Sequence, residues 1–215
     1  MKLKAPKKNY AKCLSFLIMI LFFGFTSCNT PKYTYMFKEG KHLDFSEGKW
    51  LLNRSKSNSR VFDTELYNNS EEQFKEILGS SLLEIVDVRL TNIIAPEISF
   101  DLNKEELIKL HKDSGCDFLI NIKGNVISEN AGSLSFPSNN SDYYATNEAS
   151  VSIKIYDLKN GEIISSSQVN GKVVDQGSEF NSSNDFPILS TSAHTTMLKG
   201  AKRLINKYKK YQINN

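Results

Sequence analysis

Cysteine, tryptophan, proline and histidine are all scarce in this chain: 215 residues hold three Cys, one Trp, five Pro and three His. Few cysteines exclude a disulfide scaffold, and few prolines exclude an extended or low-complexity chain. His42, His111 and His194 stand in no metal spacing such as His-Glu-x-x-His. Gly-x-Ser-x-Gly, the Walker loop and Gly-x-Gly-x-x-Gly are all missing, so no hydrolase, nucleotide or dinucleotide signature is present and no cofactor is called for. A usable surplus of positive charge is lacking too. The formal charge is +3, but Lys2, Lys4, Lys7, Lys8 and Lys12 all precede residue 28 and no acid does, so the remainder is slightly acidic. Nucleic acid is therefore not the expected partner, because phosphate binding needs concentrated Lys and Arg.

One long apolar run exists. Residues 1–27 read as a secretory leader: the lysine-rich start, the 12-residue run Leu14–Phe25, then Thr26 and Ser27 before Cys28. A spanning helix needs about 20 apolar residues, so a permanent transmembrane segment is the weaker reading. The quartet Phe25-Thr26-Ser27-Cys28 resembles a bacterial lipobox, with Phe25 where Leu is usual. That resemblance implies acylation of Cys28 as the mature N-terminus; the alternative is an ordinary secreted protein with an incidental Cys28. Several acyl chains give stable attachment where one alone is marginal. Neither an Asp nor an acidic cluster follows the cysteine (Asn29, Thr30, Pro31, Lys32), which by the same resemblance implies the periplasmic face of the outer membrane. With Cys13 discarded and Cys28 acylated, Cys116 is alone and no intramolecular disulfide can form.

Residues 28–48 form the lipidated N-terminus and tether. As coil, 20 residues reach about 25 Å; the alternation Tyr33, Tyr35, Phe37 equally suits an edge strand. A single α/β domain is expected over 49–211, with a tail at 212–215. Its elements read, in order, as a strand at Lys49–Asn53; a helix opened by the capping box Ser70-Glu-Glu-Gln73; a strand at Glu84–Leu90; and a helix capped by Asn103 and Glu106 and ended by Gly115. There follow a strand at Cys116–Ile127, a hairpin of Ala149–Asp157 and Ile163–Val174 turned by Asn160-Gly161 in type I′, and a closing helix at Ser190–Tyr211. The order β-α-β-α-β-β-β-α implies a mixed parallel and antiparallel sheet with helices packed on it.

The segments Glu105–Val126 and Val151–Ile163 carry a further likeness: a helix ending in Gly, a strand reading Phe-Leu-Ile-Asn-Ile, then a strand with an Asp-x-x-x-Gly-Glu hairpin. This resembles the periplasmic α/β domain shared by curli-secretion lipoproteins, lipoprotein activators of penicillin-binding proteins and the amino-terminal domain of TolB. The resemblance implies a non-catalytic module that binds other envelope proteins. A curli-type pore is not expected, because the loops Ser128–Thr146 and Gln176–Leu189 are rich in Ser, Asn and Asp, contain Pro137 and Pro187, and cannot span a bilayer.

Those two loops leave the same end of the expected sheet and carry Phe136, Tyr143, Tyr144, Phe180 and Phe186. These five are the candidate contacts for an envelope protein or, as the alternative, for a glycan or small ligand; they equally suit packing the loops onto the domain. Elsewhere the residue types point to structure. His111, five residues before Cys116, invites a thiol and imidazole pair, but a lone Cys opening an apolar strand is a small packed residue. Glu97 and Asp101 read as solvated carboxylates. The lysines of the last helix form a solvated face that complements the helix dipole, or touch anionic lipid or glycan.

Overall fold

The computed structural model describes residues 30–130, 144–176 and 191–213. Its strands are β1 (Lys32–Glu39), β2 (Trp50–Leu52), β3 (Lys56–Ser57), β4 (Leu82–Glu84), β5 (Phe118–Glu129), β6 (Tyr144–Asp157) and β7 (Glu162–Gln176). Its α-helices are α1 (Asp63–Leu78), α2 (Ile85–Thr91), α3 (Lys104–Ser114) and α4 (Ala193–Tyr211). The strands form one mixed sheet in the order β1-β7-β6-β5-β2-β4, with β3 also pairing β5. β2 runs parallel to β4 and β5 and β3 runs parallel to β5, whereas the pairs β5–β6, β6–β7 and β7–β1 are antiparallel. The expected mixed α/β class is the one observed.

Local signals account for most elements. α3 starts with a complete capping box: Glu106 N–H donates to Asn103 Oδ1 at 3.0 Å and Asn103 N–H to Glu106 Oε2 at 2.9 Å. Gly115 closes it in the left-handed region at φ 67°. α4 opens with Ser192 as its cap and buries Met197, Ala201, Leu204, Ile205 and Tyr208 at spacings of three and four. Each fully buried Met, Leu or Ile contributes about 1.5–3 kcal/mol, so this one stripe fastens α4 to the sheet.

Three expectations are corrected, and one alternative left open, coil or edge strand before Lys49, is decided. α1 starts at Asp63, and Ser70 lies inside it, fully buried, because the inward stripe runs back through Leu66 and Tyr67. Asp63 holds the start, accepting from Ser57 N–H at 2.7 Å and from its hydroxyl at 2.6 Å. The strand read over Glu84–Leu90 is a strand only to Glu84 and then becomes α2. Val86, Val88 and Leu90 imitate strand alternation, yet Ile85 and Val88 are the buried pair and Leu90 is 81% exposed. The β6–β7 connection spans the four residues 158–161, and among the described residues no non-glycine has positive φ, so Asn160 does not form a type I′ turn. Asp157 builds the turn instead, accepting from Asn160 N–H at 2.9 Å and Gly161 N–H at 3.0 Å, with Gly161 at φ 68°. Finally, residues 32–39 are a strand rather than coil, paired with β7 from Lys32↔Lys172 to Glu39↔Ser166. The sheet thus takes in chain well before Lys49.

The two sheet faces are covered unequally. α1 and α4 blanket one face over a core that includes Trp50, Phe74, Ile120, Val151, Ile153, Val169 and Tyr208. On the other, α2 and α3 cover only the parallel part, around Leu51, Ile85, Leu107, Leu119 and Tyr156. Polar groups lock both layers. The buried Asn53 donates to Asn121 Oδ1 at 2.9 Å, and Asn121 to the Ser99 and Phe100 carbonyls at 2.9 and 3.1 Å. Tyr208 Oη sits between Ser165 Oγ at 2.8 Å and Ser167 Oγ at 2.7 Å. Tyr208→Phe strips a shared partner from two buried hydroxyls, an expected loss of about 1–3 kcal/mol in urea unfolding; a change within about 0.5 kcal/mol contradicts this role.

Candidate binding surface

What the helices leave bare is the second face of β1, β7, β6 and the far part of β5. Strand alternation sends Tyr33, Tyr35 and Phe37 toward α4 and Lys32, Thr34 and Met36 outward. The register aligns the outward residues in rows: Lys123, Ser152, Gln168 and Met36; Asn125, Ser150, Asn170 and Thr34; then Glu148, Lys172 and Lys32. Gln168 Nε2 donates to Asn170 Oδ1 at 2.8 Å, and Lys172 lies 3.8 Å from Glu148. The last rows line a shallow concavity of about 610 Å³ that includes Lys32, Thr34, Glu148, Asn170 and Lys172. Met36, Ile127 and Val174 are the exposed apolar groups of this face, at 59, 51 and 38%. The result is a broad amide and hydroxyl surface with a few apolar contacts, suited to recognition by hydrogen bonds.

The sequence-derived candidates divide sharply. Cys28, Phe136, Tyr143, Phe180 and Phe186 lie outside the described residues, and so does the side chain of Tyr144, whose backbone begins β6 opposite Gln176. The chain ends that flank their loops do converge: Asn130 N–H donates to the Thr146 carbonyl at 3.3 Å and Asn147 Nδ2 to that of Thr191 at 3.0 Å. Both connections leave from that end.

Chemistry-bearing residues elsewhere have structural partners. Cys116 is buried, which pushes its thiol pKa up, and His111 Nδ1 donates to the Cys116 carbonyl at 2.7 Å rather than meeting the sulfur. Glu97 is held ionised below its ordinary range by Lys56, and Asp101 pairs with Lys154, so the two carboxylates do not act together. Among the described residues no cluster of His, Cys, Asp and Glu could hold a metal ion, and no helix is long and apolar enough to cross a membrane.

One constellation escaped sequence reasoning, because its members are 135 and 65 positions apart. His194 Nδ1 donates to Glu129 Oε1 at 3.1 Å, and its Nε2 lies 3.1 Å from Ser59 Oγ. Nucleophile, base and orienting acid stand in this relation in hydrolases. Here Phe62 stacks on the imidazole at 3.8 Å between centroids, and the concavity of the open face does not include Ser59. The trio clamps the end of β5 and the start of α1 to α4.

No protein-family model and no curated protein sequence matches the chain. Among solved structures, it is similar to the PelC dodecamer from Paraburkholderia phytofirmans, at 8% identity and a TM-score of 0.45 over 82% of this chain and 97% of that one. It is also similar to lipoprotein GNA1162 from Neisseria meningitidis, at 17% identity and 0.36 over 64 and 88% of the chains. A third is LpoB of E. coli, at 12% and 0.33 over 60 and 57%. At these identities and scores the likeness is one of chain path and does not bear on function.

Two outcomes test the site's chemistry. Cys116 stays unmodified by a thiol reagent in the native protein and reacts on unfolding; rapid native labelling contradicts its burial. Burial pushes Tyr156 up to about 12, and Tyr33 likewise against the pull of Arg203 beside it. Unfolded tyrosine ionises near 10, so stability is complete below about pH 10 and falls as pH rises toward 12. The urea midpoint therefore drops across that window, less steeply in Tyr156→Phe; a flat profile contradicts it.

Proposed function

We propose that this chain is a lipid-anchored, non-catalytic binding module for other proteins of a bacterial envelope. The observation that carries this reading is the polar face of β5, β6, β7 and β1, which no helix among the described residues covers although α1 and α4 pack the reverse side. Four strands about 4.8 Å apart and some eight residues long present roughly 500 Å², a large share of the roughly 800 Å² that one partner buries in a standard protein interface.

Cys28 is the proposed acylation point, at the periplasmic face of the outer membrane. Only Asn29, Thr30 and Pro31 separate it from Lys32. Four Cα steps reach at most about 14 Å. An anchor so close holds the end of the sheet where β1 begins and β7 ends against the headgroups, and β1 rises away from the membrane. The aromatic residues Phe136, Tyr143, Tyr144, Phe180 and Phe186 belong to connections that leave from that membrane-side end, which makes them secondary contacts to a membrane-embedded partner.

The test is photo-crosslinking in intact cells from position 168 or 170. The expected result is a discrete protein adduct that is absent when the crosslinker replaces the exposed Glu72 on α1, together with loss of palmitate labelling and of membrane association in Cys28→Ala. Equal adducts from all three positions, or unchanged fractionation of Cys28→Ala, contradict the reading.

A further inference from the structure

The margin of the sheet beside the open face has its own chemistry. β1 is the terminal strand, and among the described residues no strand pairs its outer edge. Alternate residues of such an edge turn N–H and C=O groups outward, a template for another strand. Beside this edge α4, packed over β5, β6 and β7, carries Lys199, Lys202, Arg203, Lys207, Lys209 and Lys210 and no acidic residue between Ala193 and Tyr211. The helix dipole rewards cations only in the final turn, which accounts for Lys209 and Lys210 and leaves Arg203 and Lys207 unexplained.

Arg203 and Lys207 are positioned by the strand itself. The Arg203 guanidinium lies 4.7 Å from the centre of the Tyr33 ring and Lys207 Nζ 4.9 Å from that of Tyr35. At the far end, Lys41 Nζ lies 4.3 Å from the Tyr211 ring. Ring contacts hold these cations in a row along the edge while leaving their N–H donors free for an anion. The spacings agree as well: residues one helical turn apart stand about 5–6 Å apart, and alternate residues of a strand about 6.6 Å.

We propose that this edge receives an extended segment of a partner protein with acidic residues at alternate positions, added to the sheet beside β1 with its carboxylates on Arg203 and Lys207. Charge selects against two other occupants. A second copy of β1 brings Lys32, Lys38 and the same helix cations against their likes. A bilayer meets only the start of the row, because the row follows β1 away from the anchored end. The proposal deepens the binding-module reading by giving its partner a chemistry.

The test uses the full chain in nonionic detergent and a fluorescent peptide of about ten residues alternating Glu with Thr and Val. Expected are saturable binding, slowed amide exchange at alternate positions of 32–39, and at least tenfold weaker binding for Arg203→Glu/Lys207→Glu. The same peptide with Gln for Glu also weakens at least tenfold. Arg203 is exposed and Lys207 half-buried, and an unchanged melting temperature verifies the fold; Arg203→Gln/Lys207→Gln gives the same direction with a smaller loss should the reversal unfold the protein. No binding, binding indifferent to both variants, no new protection in β1, or capture of anionic phosphatidylglycerol vesicles in place of the peptide overturns the proposal. If that happens while adducts from position 168 persist, the edge site falls and the binding-module reading stands.

Discussion

The pairing of β1 with β7 is the interaction from which the functional geometry follows. It brings the chain into the sheet at Lys32, register Lys32↔Lys172, so that only three residues separate the proposed acylation point Cys28 from the domain. It supplies Tyr33, Tyr35 and Phe37 to the underside of α4, where Phe37 meets Tyr208 edge-on at 5.3 Å and the Tyr33 hydroxyl donates to the Thr196 carbonyl at 3.2 Å. Gly171 permits this: a Cβ there stands 2.6 Å from the Tyr33 ring and 2.5 Å from Thr196 Cγ2, so any larger residue pushes β1 or α4 away. The same strand completes the open polar face and forms its free edge.

The unequal cover of the sheet then decides what the molecule can do. Helices follow parallel strands because crossover connections must return across a face, and α3, between β4 and β5, lies on the second face with α2. The antiparallel run needs no crossovers, so nothing in the described chain is available to cover its outer side. Ser, Thr, Asn, Gln and Lys make that bare side soluble while leaving it rich in donors and acceptors. Such a surface is suited to matching hydrogen bonds over an area, and the trio of Ser59, His194 and Glu129 joins three elements.

Much of this was legible in the residues. Asn103, Glu106 and Gly115 marked both ends of α3 because caps are local chemistry, and the stripe of α4 and the long alternations of β6 and β7 are periodic enough to leave no competing reading. Failures came where one short pattern fits two structures. Ser70-Glu-Glu-Gln73 has the form of a cap, and only burial of Leu66 and Tyr67 shows the helix already under way. Val86, Val88 and Leu90 alternate, but a three-residue edge strand has too few partners to hold them extended. The alternation in β1 was visible, whereas its partner lies 140 positions away at Lys172. For the binding surface, which half of the sheet the helices leave bare depends on strand order, which no local signal records.

A cross-strand cysteine pair measures the central interaction directly. Thr34 and Asn170 face each other across β1 and β7. Thr34→Cys/Asn170→Cys closes a disulfide under mild oxidation far faster than Thr34→Cys paired with Lys172→Cys. Equal rates for the two pairs, or none for either, mean that residues 32–39 are a loose tether, and the open face and the free edge go with them.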